Sequence, residues 1–518
     1  TWGDIQYCHQ ATYPYLWKRL ATQTSIYTWE PFYKDEGKIN LGRRTDESEA
    51  VYNCKDCCVT REIYPITVEN ARELQTYEGY KRTMGILPSH LAMTIRGVRV
   101  DIEGKKKLGA EFKKLAEEAK QKVVDYCGYD INLNSYDQKA KLLYGVMCLE
   151  LQFPRGKKGK VTTDKNALNK LKRLYRKTRE GEVVSAILDY QKFTKLSTGY
   201  TEMKLDTDGR LRTSYNIVST FRTNSSSSPY GGLKKEDREG GNLQTLPKRT
   251  LEGKKVRELI IPDPSMNLLS SDRIQAEAMV VAYLSNDIKR IEMYKAGWDV
   301  HWYNARLIFG IPENVSYHPK ALWRDEITKE EHTLEQYRHI GKTIVHAGNY
   351  GMGPYKLQDI LALEGFIFEF RECKAFLTIH KQNNPLLGEW QRSIREELKT
   401  TRTLISPIGR KREFPGRFNH NLFNAGYAFK PQNTVGEITE ITIQRIFDTL
   451  EPKYQILLNT HDEVLGQCKP EHNTQILREI KRLSSYPIEI NGRILDIPVD
   501  FKIGMNWGDM KDVEEEIL

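Results

Sequence analysis

Long apolar runs are missing from this sequence. None of its 518 residues falls in a stretch approaching the 18 or so apolar side chains that a membrane-spanning helix needs, so no membrane partner is expected. Cysteine is scarce. The eight thiols are too few for a disulfide framework at this length, which points to a reducing, cytoplasmic setting. Their one cluster, Cys54-Lys-Asp-Cys57-Cys58, has no second C-x-x-C pair at zinc-site spacing, so a zinc centre is not expected. Thr1-Trp-Gly-Asp opens without Met and without a basic start followed by an apolar segment. The expectation is a fragment or processed form with no secretory signal. There is no internal repeat.

Charged residues make up 29% and hydrophobic residues 39%, a balance suited to two to four soluble domains around a large core. The formal charge of +10 favours a polyanionic partner. The most informative stretch is Arg338-His-Ile-Gly-Lys342-Thr-Ile-Val-His346-Ala-Gly-Asn-Tyr350. On a helix, each step of four residues turns only about 40° from one face, so Arg338, Lys342, His346 and Tyr350 form a slowly winding ridge. Arg338 to His346 spans roughly 12 Å at 1.5 Å per residue, about the reach of an extended nucleoside triphosphate. Two cations suit the phosphates and two rings suit the base. The bland alternative is a solvated face on which Glu335 pairs Arg338 at i,i+3.

Along the chain, Tyr52 and Asp56 stand at i,i+4 on an expected helix, a spacing that can hold a metal-bound water in a nuclease but is commoner as a surface pair. An apolar segment and turn, Met93 to Asp101, precede a charged helix over about Ile102–Val124. A basic loop, Pro154-Arg-Gly-Lys-Lys-Gly-Lys160, and a basic helix face, Lys170 to Lys177, suit a nucleic-acid backbone or simply solvent. Leu205 to Tyr215 reads as a hairpin turning at Asp208-Gly209. A polar, Gly-rich loop then runs past Ser228, Gly231 and Gly240 to Asn242-Leu-Gln244. Met266 to Asp272 reads as a buried strand ending in a carboxylate, with a helix over Gln275–Leu284 behind it. The pattern is mostly helical from Asp287 to Thr400. Thr403 to Pro415 suggests a hairpin with a basic tip, and Gln432 to Asp448 a further helix. Finally His461-Asp462-Glu463 lies between two apolar runs. Burying such acids without a cation would cost several kcal/mol each, so they have no packing reason to be there.

Asp272, the cationic ridge and Asp462-Glu463 together are the equipment for nucleotidyl transfer. Two acids from separate strands can hold two Mg²⁺ ions about 3.5–4 Å apart, with the triphosphate on the ridge. At this point the chain resembles the A-family, polymerase I-like DNA polymerases. The family's D-Y-S-Q-I-E-L-R is here Asp272-Arg-Ile-Gln275-Ala-Glu277-Ala-Met279. Its R-x-x-x-K-x-x-x-F-G-x-x-Y-G is Arg338 to Gly351, its H-D-E is His461-Asp462-Glu463, and its T-G-R…P-N-L-Q is Thr220-Phe-Arg222…Asn242-Leu-Gln244. The resemblance covers about residues 86–518. The irregular first motif and the long loop before Asn242 look more like a bacteriophage branch than a bacterial repair enzyme.

The resemblance implies an α+β right-hand fold with an antiparallel palm sheet and mainly helical fingers and thumb. It divides the chain into an exonuclease remnant (1–85), thumb (86–215), split palm (216–290 and 401–518) and fingers (291–400). It implies a monomer that extends primer–template DNA with dNTPs in DNA replication, using two Mg²⁺ or substituting Mn²⁺ ions, and leaves processivity partners open. Asp272 and Asp462 become metal ligands with Glu463 beside them. Arg338 and Lys342 bind the triphosphate, and Lys342 joins the catalytic set. His346, Tyr350 and Gln275 line the nucleotide site, and Glu277 is the gate against a 2′-hydroxyl. Arg222, Gln432, His461, Asn242 and Gln244 touch the DNA. Arg273 replaces a tyrosine that packs near the gate, and Met279 replaces an arginine. Tyr52 and Asp56 match the last exonuclease motif, but the 51 residues before Tyr52 contain no D-x-E, so no proofreading is expected. The competing readings are a single-subunit RNA polymerase, against which Glu277 argues, and a catalytically dead nucleic-acid-binding subunit, against which Asp272, Asp462 and Lys342 argue together.

Overall fold

The structure is a computed structural model that describes residues 3–34, 45–152, 161–227, 240–248, 250–325 and 331–514. The basic loop Pro154–Lys160 and most of the Gly-rich loop, from Ser228 to residue 239, lie outside the described residues.

A five-stranded antiparallel sheet anchors the molecule. Its central strand, β1 (Asn267–Arg273), lies between β3 (Glu463–Cys468) and β4 (Val499–Gly504), with β2 (Gln455–Thr460) and β5 (Lys511–Asp512) at the edges. Leu268 and Leu269 of β1 are fully buried with Leu458, Val464, Leu465 and Phe501, which anchors the apolar half of the strand. The polar end is set by register: Glu463 and Asp500 both pair with Asp272 across the neighbouring strands. Side chains alternate along a strand, so Ser270 and Asp272 share one face and Arg273 faces the other.

Helices surround the sheet. α1 (Asp46–Glu73) and α2 (Tyr77–Arg96) precede it; α3 (Ile102–Cys127) packs against α4 (Arg179–Leu196) as a long antiparallel arm. After β1 come α5 (Ala276–Leu284), α6 (Val300–Phe309), α7 (Leu334–Asn349) and α8 (Pro385–Thr401). α7 starts at a capping box, Thr333 with Gln336, and buries Tyr337, Ile340, Gly341, Ile344 and Val345 at helical spacing. Gly341 permits the close α6–α7 crossing, because a Cβ there would meet Ala305 Cβ and His301 O at 2.8 Å.

The longest element, α9 (His420–Leu450), is tied to its surroundings by buried charges. Glu437 accepts from Arg410 Nε and from Arg82 Nε of α2, both at 2.9 Å. Glu440 meets His90 Nε2 of α2 at 2.7 Å.

Several expectations shift. The Asp208-Gly209 turn forms, with Gly209 at φ +77° and Asp206 N donating to Arg210 O at 2.9 Å, but no pair of strands continues from it. Arg210–Leu211 pairs with Val98–Val100, and Ser214–Ile217 pairs with Thr223–Ser226. A turn signal is local, whereas the partner strand is chosen by burial. The Thr403–Ile405 and Lys411–Glu413 hairpin exists, but Arg410 at its tip is buried against Glu437 rather than displayed. The helix preceding Gly97 runs the full length of α2, beyond the short apolar segment expected. All eight cysteines are free thiols. Among the described residues no helix is long and apolar enough to cross a membrane.

Candidate active site

The site gathers where the polar end of β1 meets the β2–β3 turn. Asp272 stands on β1 and Asp462 in the turn, where its carbonyl accepts Arg273 N at 3.3 Å. That bond locks the turn beside the strand end and brings the two carboxylates into electrostatic contact. Burial first, then repulsion from Asp462, lifts the Asp272 carboxyl to about 6. Burial likewise raises Asp462, against the opposing pull of Arg222. Two neighbouring acids that resist ionisation are a place where a cation is favoured.

Glu463 behaves oppositely. Burial would raise it, but Lys248, Trp507 and Arg257 outweigh burial and hold it below the usual carboxylate range. Its Oε1 accepts Ser270 Oγ at 2.8 Å and Trp507 Nε1 at 2.9 Å, and its Oε2 lies 3.3 Å from Lys248 Nζ and 3.7 Å from Arg257 Nη1. In this arrangement protein donors meet both oxygens of Glu463, and it braces the strand end beside Asp272.

α7 presents the ridge. Lys342 lies close enough to Asp462 to lower its pKa. Arg338 forms its ion pair with Asp299, the residue that caps α6 through Trp302 N. Glu335 instead accepts from Tyr317, so the i,i+3 surface pair with Arg338 is not what forms. The helix ends at Asn349 and Tyr350 is its C-cap, one residue past the last helical one.

Glu277 joins the parts. Its carboxylate accepts Arg222 Nη1 at 2.8 Å and the Tyr350 hydroxyl, and His346 Nδ1 lies 3.9 Å away. Gln432 also hydrogen-bonds Tyr350, and burial followed by Glu277 pushes the phenol well up. His461 occupies the turn at φ +67°, where desolvation and then Arg222 lower its imidazole. The structure thus brings Asp272, Asp462, Lys342, His346, Tyr350, Glu277, Arg222, Gln432 and His461 into one contiguous site.

Other expected residues lie elsewhere. Gln275, in the left-handed conformation at φ +48°, donates to Trp298 O at 3.2 Å and accepts Val300 N at 3.1 Å. It thereby fastens the start of α6. Gln244 is 8% exposed and spends its amide on Asn459 O at 3.0 Å. Asn242 accepts Ser225 Oγ at 2.7 Å. Asn242 thus ties the loop to the Thr223–Ser226 strand and Gln244 ties it to β2. Arg273 is buried on the far face, donating to Ile497 O, Thr442 Oγ1 and Ser484 O, so it does not support the gate. Met279 packs in an apolar cluster with Tyr283 and Val345. Tyr52 and Asp56 share Lys34, whose ammonium is 3.1 Å from the Tyr52 hydroxyl and ion-paired with Asp56; Tyr33 also donates to Asp56. The sequence reading missed Lys248, Asp299, Arg257 and Trp507. Asp299 had a signal, since it precedes an apolar helix as an N-cap; the others had none.

The sheet, the helical arm and the ridge helix make up the fold of a right-hand polymerase. The chain superposes on a solved structure described as the POL domain of Pol1 from M. smegmatis in complex with DNA primer-template and dNTP, with a TM-score of 0.77 at 19% identity, covering 98% of this chain and 82% of that one. The chain belongs to DNA polymerase family A, whose description matches residues 103–509. It is 26% identical over 451 residues to the thermostable DNA polymerase I of Thermus filiformis, covering 85% of this chain and 49% of that protein. It is also 26% identical over 476 residues to DNA polymerase I of Treponema pallidum, covering 88% and 43%. The chain thus spans about half the length of the curated relatives it matches.

Proposed function

We propose that this chain extends a DNA primer on a template with dNTPs. The observation that carries the reading is the pairing of Asp272 and Asp462, two half-buried acids, Asp272 raised by desolvation and then by Asp462, and Asp462 raised by desolvation, beside a helix that presents Lys342. The pair presents only hard oxygen donors, which fits Mg²⁺, with Mn²⁺ able to substitute. Two such ions, when bound, supply charge to activate the primer 3′-hydroxyl and to stabilise the departing pyrophosphate. Arg338 and Lys342 hold the triphosphate; His346 and Tyr350 lie beside the sugar and base. Glu277, held between Arg222 and Tyr350, presents its carboxylate where a ribose 2′-hydroxyl would collide. Arg222, Gln432 and His461 face the primer end.

By the same reading α3 and α4 belong to a thumb (86–215), α6 and α7 to fingers (291–400), and β1 to β5 to a palm split between 216–290 and 401–518. Residues 1–85 are an exonuclease remnant. Arg273 and Met279 in the first motif support a bacteriophage-type member, acting as a monomer in the host cytoplasm. The test is Mg²⁺-dependent primer extension with each nucleotide in turn. Asp272→Ala and Asp462→Ala are expected to reduce extension at least about a thousandfold while primer–template affinity holds, because DNA affinity comes mostly from cations on phosphates. Activity within tenfold of wild type in either variant would sink the assignment.

A further inference from the structure

Lys248 has no part in that reading, yet it stands at its centre. It follows Asn242-Leu-Gln244-Thr-Leu-Pro247, whose anchoring to Ser225 and Asn459 delivers it to the strand end. Its ammonium lies 3.3 Å from Asp272 Oδ2 and 3.3 Å from Glu463 Oε2. A second cation, Arg257, serves the same carboxylate cluster in a different way. Its side chain is 8% exposed, stacks 3.8 Å over the Trp507 ring and is fixed 3.7 Å from Glu463. Lys248 is 53% exposed, so it can swing into water without opening a cavity. One cation is built in and the other is movable, and the movable one contacts the acid that the proposed function assigns to metal.

We infer that Lys248 is a placeholder cation: in the metal-free protein it neutralises Asp272, and a divalent ion must displace it to bind. The inference rests on the metal-holding role of Asp272 proposed above. An ammonium is a compact point charge on a flexible stem, well suited to leaving when a doubly charged ion arrives. Without it, Asp272 would lose the cation in contact with it, and its repulsion with Asp462 would be offset only through Arg222 and Lys342 on the Asp462 side. With it, the site remains folded while empty and binds metal less tightly than its acids alone would. Lys248 is thus a positioning residue.

The experiment titrates Mn²⁺ calorimetrically into metal-free protein without DNA or nucleotide, comparing wild type with Lys248→Met, Lys248→Arg and Asp272→Ala. Lys248→Met is expected to bind Mn²⁺ about tenfold more tightly, equivalent to about 1.4 kcal/mol. It should also unfold at lower temperature in EDTA, a gap that saturating Mn²⁺ closes. Lys248→Arg, which keeps a charge, should stay close to wild type on both counts. Mn²⁺ affinity in Lys248→Met equal to or weaker than wild type overturns the inference. If that variant does not fold, Lys248→Gln carries the same expectation and the same refutation. Unchanged Mn²⁺ binding in Asp272→Ala would instead overturn the metal assignment itself, so the two failures are separable.

Discussion

At the scale of single residues, the site is governed by how each acid is neutralised. The Asp272 carboxyl, lifted to about 6 by burial and by Asp462, is ionised in the fold at a cost. That cost is absent below the unfolded carboxyl's value of about 3.9, where both states are protonated, and is complete above the folded value. Asp272→Asn is therefore expected to stabilise the metal-free protein at pH 7.5 by roughly 1 kcal/mol, a figure discounted because water reaches a third of the side chain. At pH 3.5 it should do little. Thermal unfolding in EDTA at the two pH values checks the sign; a loss of stability at pH 7.5 would contradict it. Glu277 gives a second prediction. Glu277→Ala should raise ribonucleotide incorporation by removing the carboxylate beside the sugar. It should also lower turnover, because Arg222 and Tyr350 lose their shared partner. Competition between rNTP and dNTP measures the first effect, and an unaltered preference would place the gate elsewhere.

At the scale of elements, α7 is the part that reads most directly from sequence. Its buried stripe and its cationic ridge repeat at helical spacing, and its capping box marks the start. Lys342→Ala is expected to raise the dNTP concentration for half-maximal extension and to cut turnover by at least about tenfold, since charge-assisted contacts to phosphate are the stronger kind. Steady-state kinetics that left both constants unchanged would refute the ridge. β1, α3 and the His-Asp-Glu turn were also legible, because apolar runs and misplaced acids are visible without partners. What stayed hidden depends on contacts far apart in sequence. The bland alternative paired Arg338 with Glu335 on its own helix, but the fold supplies Asp299 at the start of a neighbouring one. The Asp208-Gly209 turn was readable, but its pairing strand lies near residue 98. Lys248 sits on a loop with no period, so no pattern could have marked it. Gln244 and Gln275 matched their motifs by position, but that their amides bond Asn459 O and Val300 N is something a motif cannot show.

At the scale of the molecule, proofreading is a separate matter from synthesis. Asp56 is held by Lys34 and Tyr33, and the sequence offers no D-x-E before Tyr52 to join it. The proposal is that this chain leaves a 3′-mismatched primer intact when given Mg²⁺ and no nucleotides. Trimming by this chain that vanishes in Asp56→Ala would overturn it. A different consequence follows from the charges buried along α9. Glu437 is shared by Arg410 and Arg82, so replacing it alone would strand the Arg410 guanidinium away from water and leave the half-buried Arg82 without its partner, whereas replacing all three with apolar side chains need cost little. Intermediate steps between these two arrangements are the unfit ones. Across lineages, positions 82, 410 and 437 are therefore expected to be inherited as a block, present together or absent together.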